Sequence, residues 1–119
     1  MNGSSDGRKM SGQMNKKFFI IHSKGLTDKA RELADGLRAQ GHEVYVPGIQ
    51  TKQDTDELTI CTANREAMSA ADEVRVIWDG TSHGVIFDLG MAFALGKPIK
   101  LEYVIPKSMK GLMERLSDV

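Results

Sequence analysis

Cysteine is nearly absent from this chain of 119 residues. Cys61 stands alone, so neither an internal disulfide framework nor a multi-cysteine metal site is available. An excess of charge is missing as well. Sixteen Lys and Arg balance sixteen Asp and Glu, which excludes a general binder of nucleic acid polymers, whose footprint is a basic surplus. No apolar run approaches the ~18 residues that cross a bilayer, and no basic-then-apolar signal peptide opens the chain. The expectation is a protein of the reducing cytoplasm with no membrane partner. The three histidines, His22, His42 and His83, lie far apart without supporting acids, so no metal site is expected. Neither a Walker motif nor GxGxxG occurs, and no cofactor is expected.

What is present is one domain's worth of chain, able to bury roughly 65% of its unfolded surface. Residues 1–15, MNGSSDGRKMSGQMN, have no apolar periodicity and read as a disordered leader or expression scar. Residues 16–119 read as a single domain. Phe18-Phe19-Ile20-Ile21-His22 is a short continuous apolar run, as in a strand covered on both faces. Leu26, Ala30, Leu33, Ala34 and Leu37 then mark one face of a helix that Thr27 or Ser23 could cap and Gly41 ends. Glu43 to Val46 form a second strand, stopped by Pro47-Gly48, and residues 49–55 form a polar loop. A second helix is expected from Thr55 to Ala71, with Ile60, Ala63, Ala67 and Ala71 inward. Val74 to Trp78 is a third strand. Val85, Leu89, Ala92, Phe93 and Gly96 trace a third helix, and Ile99 to Val104 a fourth strand. Pro106 opens a last helix carrying Met109, Leu112, Met113 and Leu116.

The order β-α-β-α-β-α-β-α calls for an α/β fold: a small, doubly wound, flavodoxin- or Rossmann-like parallel sheet of about four strands. Right-handed crossovers give the strand order 2-1-3-4. Ligands of such sheets bind beyond the carboxyl ends of the strands, where the order reverses. Here two loops meet at that point, His22-Ser23-Lys24-Gly25 and Asp79 to Gly84. Ser82-His83-Gly84 leads straight into a helix, whose unpaired N–H groups would stabilise a phosphate or carboxylate. The same residues also read as an ordinary N-cap by Ser82 before a turn glycine. Asp88, six residues beyond Ser82 and amid apolar neighbours, either supports the helix dipole or faces the crevice.

Ser82-His83-Gly84-Val85-Ile86-Phe87-Asp88-Leu89-Gly90-Met91-Ala92, followed by Gly96-Lys97-Pro98, resembles the signature of the nucleoside 2-deoxyribosyltransferase superfamily. The resemblance spans roughly residues 17–105. That superfamily also includes 2′-deoxynucleoside 5′-monophosphate N-glycosidases and cytidylate hydrolases. The resemblance implies that Asp88 stands where the family has a glutamate that attacks the anomeric carbon or stabilises the oxocarbenium ion. It implies that Ser82, an aspartate in the nucleoside transferases and a serine in the monophosphate hydrolases, meets a 5′-phosphate. His83 in its protonated form, Lys24, Ser23 and Gly84 would join that anion site. A third family position, an aspartate that handles a proton at the base, falls on Asn64, eight residues before Asp72. An amide orients a base but exchanges no proton near neutral pH.

His22 ends the first strand and is read either as a ligand contact or as a buried, satisfied histidine. Tyr45, Trp78 and Phe87 are candidates for an aromatic wall against a base, Trp78 foremost, with core packing as the alternative. Cys61 reads as a small core residue. The resemblance further implies a nucleoside or nucleotide as the small-molecule partner and a homodimer or higher homo-oligomer. Two functions follow as expectations. One is cleavage or transfer at the N-glycosidic bond of a nucleoside 5′-monophosphate or related nucleoside, with Asp88 and Asn64 at the reacting centre. The other is a nucleotide-binding module without turnover, because Asn64 and Asp88 both depart from the family's acids.

Overall fold

The computed structural model describes residues 15–104 and Leu116. Nearly all of the leader (residues 1–14) and the last helix expected from Pro106, apart from Leu116, lie outside the described residues. The elements in chain order are β1 (Lys17–His22), a 3-10 turn (Lys24–Leu26), α1 (Thr27–Ala39), β2 (Glu43–Tyr45), α2 (Pro47–Gln50), α3 (Glu57–Ala70), β3 (Glu73–Trp78), α4 (His83–Ala94) and β4 (Ile99–Val104). All strand pairs are parallel, in the order β2-β1-β3-β4. This is the small doubly wound sheet that the alternation of strand and helix demands.

The apolar run of β1 is continuous because both faces of the strand are covered. Phe18 and Ile20 pack with Ala30, Ala34 and Leu37 of α1, and with Val44, Val46 and Ile77. Phe19 and Ile21 point the other way, onto Met68 and Ala71, Val74 and Val76, and Val85 and Ala92 of α4. Burial of each large side chain stabilises the fold by roughly 1.5–3 kcal/mol. β1, central in both clusters, is the element the fold can least do without.

Two helices stop on glycine for a geometric reason. Gly41 and Gly96 adopt φ of 95° and 69°, the left-handed region that penalises a Cβ. After α4 the Gly96 N–H donates to Phe93 O and the Lys97 N–H to Ala92 O, satisfying carbonyls the helix leaves open. The Lys97 ammonium then donates to Ser69 O and Ala71 O at 2.8 and 2.7 Å. A cation thus caps the negative end of α3, which gives Gly96-Lys97-Pro98 a structural role. Asp72 likewise ties two strand starts together, accepting from the Lys17 N–H at 2.8 Å.

Several expectations are corrected. Neither Thr27 nor Ser23 caps α1, because the 3-10 turn feeds directly into it and the Thr27 hydroxyl donates to Lys24 O instead. β2 ends at Tyr45, and Pro47 opens the one-turn helix α2, with the Gln50 side chain accepting from the Val46 N–H. The loop after it is not wholly polar surface: Thr51 is buried. α3 begins after Asp56, whose carboxylate caps the Thr59 N–H. Its most buried residues are Asn64 and Met68, while Ile60, Ala63 and Ala67 are only half-buried. Phe93 is 82% exposed, because α4 presents Val85 and Ala92 to the sheet and turns Phe93 outward.

Candidate functional site

The strand order reverses between β1 and β3, and the loops leaving these strands are joined there. Ser23 is fully buried; its N–H donates to Ile77 O, and its hydroxyl accepts from the Asp79 N–H at 2.8 Å. Beside this seam lies a cavity of about 420 Å³, lined by residues from β1, the 3-10 turn, α1, α2, α3 and α4. Seven residues singled out in the sequence meet in its wall: His22, Ser23, Lys24, Asn64, Ser82, Gly84 and Asp88. A space of that size accommodates a small molecule such as a nucleotide.

Asp88 projects from the first turns of α4 into this cavity. Among the described residues no cation or hydrogen-bond donor reaches its carboxyl group. Burial alone pushes its pKa up from 3.8 to about 6. Of its two readings, support of the helix dipole or exposure to the crevice, the cavity wall is where it stands.

The loop before α4 is held by a different acid. The Asp79 carboxylate accepts from the N–H groups of Thr81 and Ser82 at 2.8 and 2.9 Å and from both hydroxyls. These bonds, that from the Thr81 N–H foremost, hold its pKa down at about 2. Ser82 occupies the N-cap position yet makes no cap bond with its side chain; its hydroxyl is turned to Asp79, to which it donates. An incoming anion therefore meets the backbone at the start of α4 and the Lys24 side chain first, and gains the Ser82 hydroxyl only by competing with Asp79.

Asn64, buried to 8% exposure, reaches the cavity from α3. Its Oδ1 accepts from the Thr51 hydroxyl at 2.7 Å, and the Thr51 oxygen lies 2.6 Å from the Tyr45 hydroxyl. His22 closes the end of β1. Its Nδ1 lies 2.9 Å from Ser23 O; a carbonyl only accepts, so Nδ1 carries the hydrogen. Nε2 is enclosed without a protein partner among the described residues. His22 is thus half-buried and half-satisfied, between the two readings of it.

Four sequence candidates are not brought to the cavity. His83 is exposed and outside its wall. Trp78 packs against the apolar cluster on the α3 and α4 side of the sheet, with Nε1 enclosed and unpartnered among the described residues. The reason is strand geometry: successive residues of β3 point to opposite faces, so ending a strand beside a loop does not aim a side chain at it. Tyr45 stacks on Phe19, with ring centroids 5.6 Å apart, and Phe87 is 57% exposed. None of the three aromatic candidates lines the cavity.

Thr27, Pro47, Gly48, Gln53 and Val85 complete the wall and were not singled out from sequence. Pro47 and Gly48 follow β2, at the same end of the sheet, and the rule that selected the other two loops could have found them. Gln53 carries no such signal; its amide donates to Pro47 O and Thr51 O and secures the loop. Among the described residues no group of three or more His, Cys, Asp and Glu is placed to hold a metal ion, and no helix is long and apolar enough to cross a membrane.

The fold is shared with solved enzymes. A 2-deoxyribosyltransferase from the psychrotolerant bacterium Bacillus psychrosaccharolyticus superposes with a TM-score of 0.61 at 19% identity, over 73% of this chain and 72% of that one. A 2-deoxyribosyltransferase from Leishmania mexicana gives 0.58 at 19% identity, over 74% of this chain and 64% of its own. At that identity the likeness establishes the architecture. Compared by sequence with curated proteins, the chain matches none. The family model for nucleoside 2-deoxyribosyltransferase matches residues 19–112, which hold both loops of the switch point, Asn64 and Asp88. The chain therefore belongs to the nucleoside 2-deoxyribosyltransferase family.

Proposed function

We propose that the chain breaks, or transfers across, the N-glycosidic bond of a nucleoside 5′-monophosphate or a related nucleoside. The observation that carries this reading is the Asp88 carboxyl group, raised to about 6, in one cavity with Lys24 and the start of α4. Above that pH Asp88 is an unpaired carboxylate facing the space a sugar would fill. Its oxygen attacks the anomeric carbon as the bond to the base nitrogen breaks, and the base leaves with that bond's electron pair. Water or a second base then takes the sugar from the Asp88 ester. Lys24 and the backbone at Gly84 favour a phosphate by charge and by the helix dipole, and Ser23 and Ser82 shape that end of the cavity.

Asn64 favours a second reading, a nucleotide-binding module without turnover. An amide cannot hand a proton to the departing base. The homo-oligomer belongs to the same proposal. None of the three aromatic candidates lines the cavity, and Ile86, Phe87 and Phe93 of α4 are all more than half exposed, so a second copy has an apolar face to bind. The lone cysteine, Cys61, half-buried and free, suits a reducing cytoplasm.

The test is incubation with a panel of ribo- and deoxyribonucleoside monophosphates, followed by chromatography for free base. Release that disappears in Asp88→Ala supports the enzyme. A thermal shift with monophosphates but no release, abolished by Ser82→Asp, supports the binding module. No release and no shift with any nucleotide overturns both.

A further inference from the structure

Asn64 is held by a relay of hydroxyl groups whose direction follows from the Asn64 atom that faces Thr51. Thr51 is 6% and Asn64 8% exposed, so each hydrogen bond between them is shielded from water. The Thr51 hydroxyl has one hydrogen. If it is donated to Asn64 Oδ1 at 2.7 Å, the 2.6 Å contact with Tyr45 must be a bond donated by the tyrosine. The reverse direction would have the Asn64 amino group donate to Thr51 and Thr51 donate to Tyr45. The Tyr45 hydroxyl hydrogen would then need an acceptor of its own, and among the described residues no other lies within hydrogen-bond distance. The atom that faces Thr51 is Oδ1, and an amide oxygen only accepts, which gives the forward direction. The tyrosine is itself fixed, stacked on Phe19 at an interplanar angle of 15°.

The consequence falls on the cavity. With Oδ1 engaged, Nδ2 is the polar atom Asn64 has left; among the described residues it has no hydrogen-bond partner, and it is not fully enclosed. We propose that Tyr45 and Thr51 are positioning residues that lock Asn64 as a hydrogen-bond donor, so that the site selects bases by an acceptor atom and gives no proton to the leaving base. The proposal rests on the nucleotide reading of the cavity. Lys24 and the start of α4 suit the phosphate and Asp88 the sugar, which leaves the base as the part Asn64 meets. Ring nitrogens with a lone pair, or a carbonyl oxygen, satisfy an amide donor. A C–H or N–H at the same place would leave it buried and unpaired, which costs free energy.

The experiment measures binding of 2′-deoxyadenosine 5′-monophosphate and its 1-deaza, 3-deaza and 7-deaza analogues, in each of which C–H replaces one ring acceptor. Calorimetry at pH 7.5 is applied to the wild type, Thr51→Val, Thr51→Ser and Tyr45→Phe. In the wild type one analogue binds at least tenfold more weakly than its parent. In Thr51→Val, where the amide is free to turn, that ratio falls below about threefold, and Thr51→Ser restores it. Tyr45→Phe gives an intermediate ratio. Thermal unfolding of each variant confirms that it is folded, and because the readout is a ratio between ligands, general weakening of the pocket does not alter it. Binding of the parent with no analogue disfavoured, or a penalty unchanged in Thr51→Val, overturns the relay and leaves the nucleotide reading standing. Failure of the wild type to bind the parent or any other monophosphate of the panel overturns the nucleotide reading itself, and the proposal with it.

Discussion

The Cε1–Nε2 edge of the His22 imidazole lies against Gly48. A Cβ added to Gly48 would come within 2.6 Å of both Cε1 and Nε2 of that ring, a separation shorter than van der Waals contact allows. His22 ends β1 and Gly48 lies in α2, so this contact sets the distance between two walls of the cavity.

Gly48→Ala must therefore displace the ring or the helix turn. The ring is held by its bond to Ser23 O, so displacement breaks that bond. The expected loss is about 1–3 kcal/mol, the usual cost of overpacking, read as a lower midpoint in urea. His22→Ala in the Gly48→Ala background should return most of it. Equal, additive losses would mean that the two residues do not constrain each other.

Asp88→Asn is expected to stabilise the fold while removing activity. The folded state raises the pKa of Asp88 from 3.8 to about 6, so the fold prefers the protonated acid. The contribution of Asp88 is full below about 4 and is lost as pH rises through about 6. Full conversion of such a shift gives roughly 3 kcal/mol, and contact with cavity water screens it to about 1–2 kcal/mol. Thermal melts should show Asp88→Asn above the wild type at pH 8 and level with it at pH 4. A gain of the same size at both values would assign the effect to something other than charge burial.

Base release by the wild type should follow the same group. The nucleophile must be ionised, so single-turnover rates should climb through pH 6 and level off near 7.5. A rate that is flat from pH 5 to 8 would remove Asp88 from the reacting centre.

Asp79→Ala is expected to loosen the loop before α4 and leave the core intact. Its carboxylate holds two backbone N–H groups, and loss of comparable caps costs about 1 kcal/mol. Amide exchange at Thr81 and Ser82 should quicken at least tenfold, with β1 amides nearly unchanged. Because the pKa of Asp79 is lowered to about 2, its hold is present above about 4 and is lost as pH falls towards 2. The contrast between variant and wild type should persist at pH 5.

Phe93, at 82% exposure, is the most exposed of the large apolar side chains on α4. Phe93→Glu should lower the mass measured by light scattering if a second copy covers that face. An unchanged mass, whatever its value, would show that this face is not the interface.

Much of the fold was legible because it depends on composition along short segments. Phe18 to Ile21 announces a strand covered on both faces, and three further strands alternate with helices, which leaves few topologies and a right-handed choice among them. The loops of the site followed from that topology, and seven of eleven candidate residues line the cavity. The errors have a common cause. Trp78 was placed by its nearness to the loop and Phe93 by helical spacing, whereas their facing depends on the twist and packing of β3 and α4. Met68 and Thr51, both buried, sit in segments whose pattern gave no warning.

The sequence by itself determined the order of elements and the switch point. Those are properties of residue type and spacing, and spacing along a regular helix or strand fixes them. Only the tertiary structure decided what each polar group has left to offer a ligand. It gave the Ser82 hydroxyl to Asp79, the Asn64 carbonyl to Thr51 and the His22 Nδ1 hydrogen to Ser23. It left Asp88 with no donor among the described residues. Hydrogen bonds between residues 1 to 13 apart, and burial that no single segment creates, are set by how the elements pack.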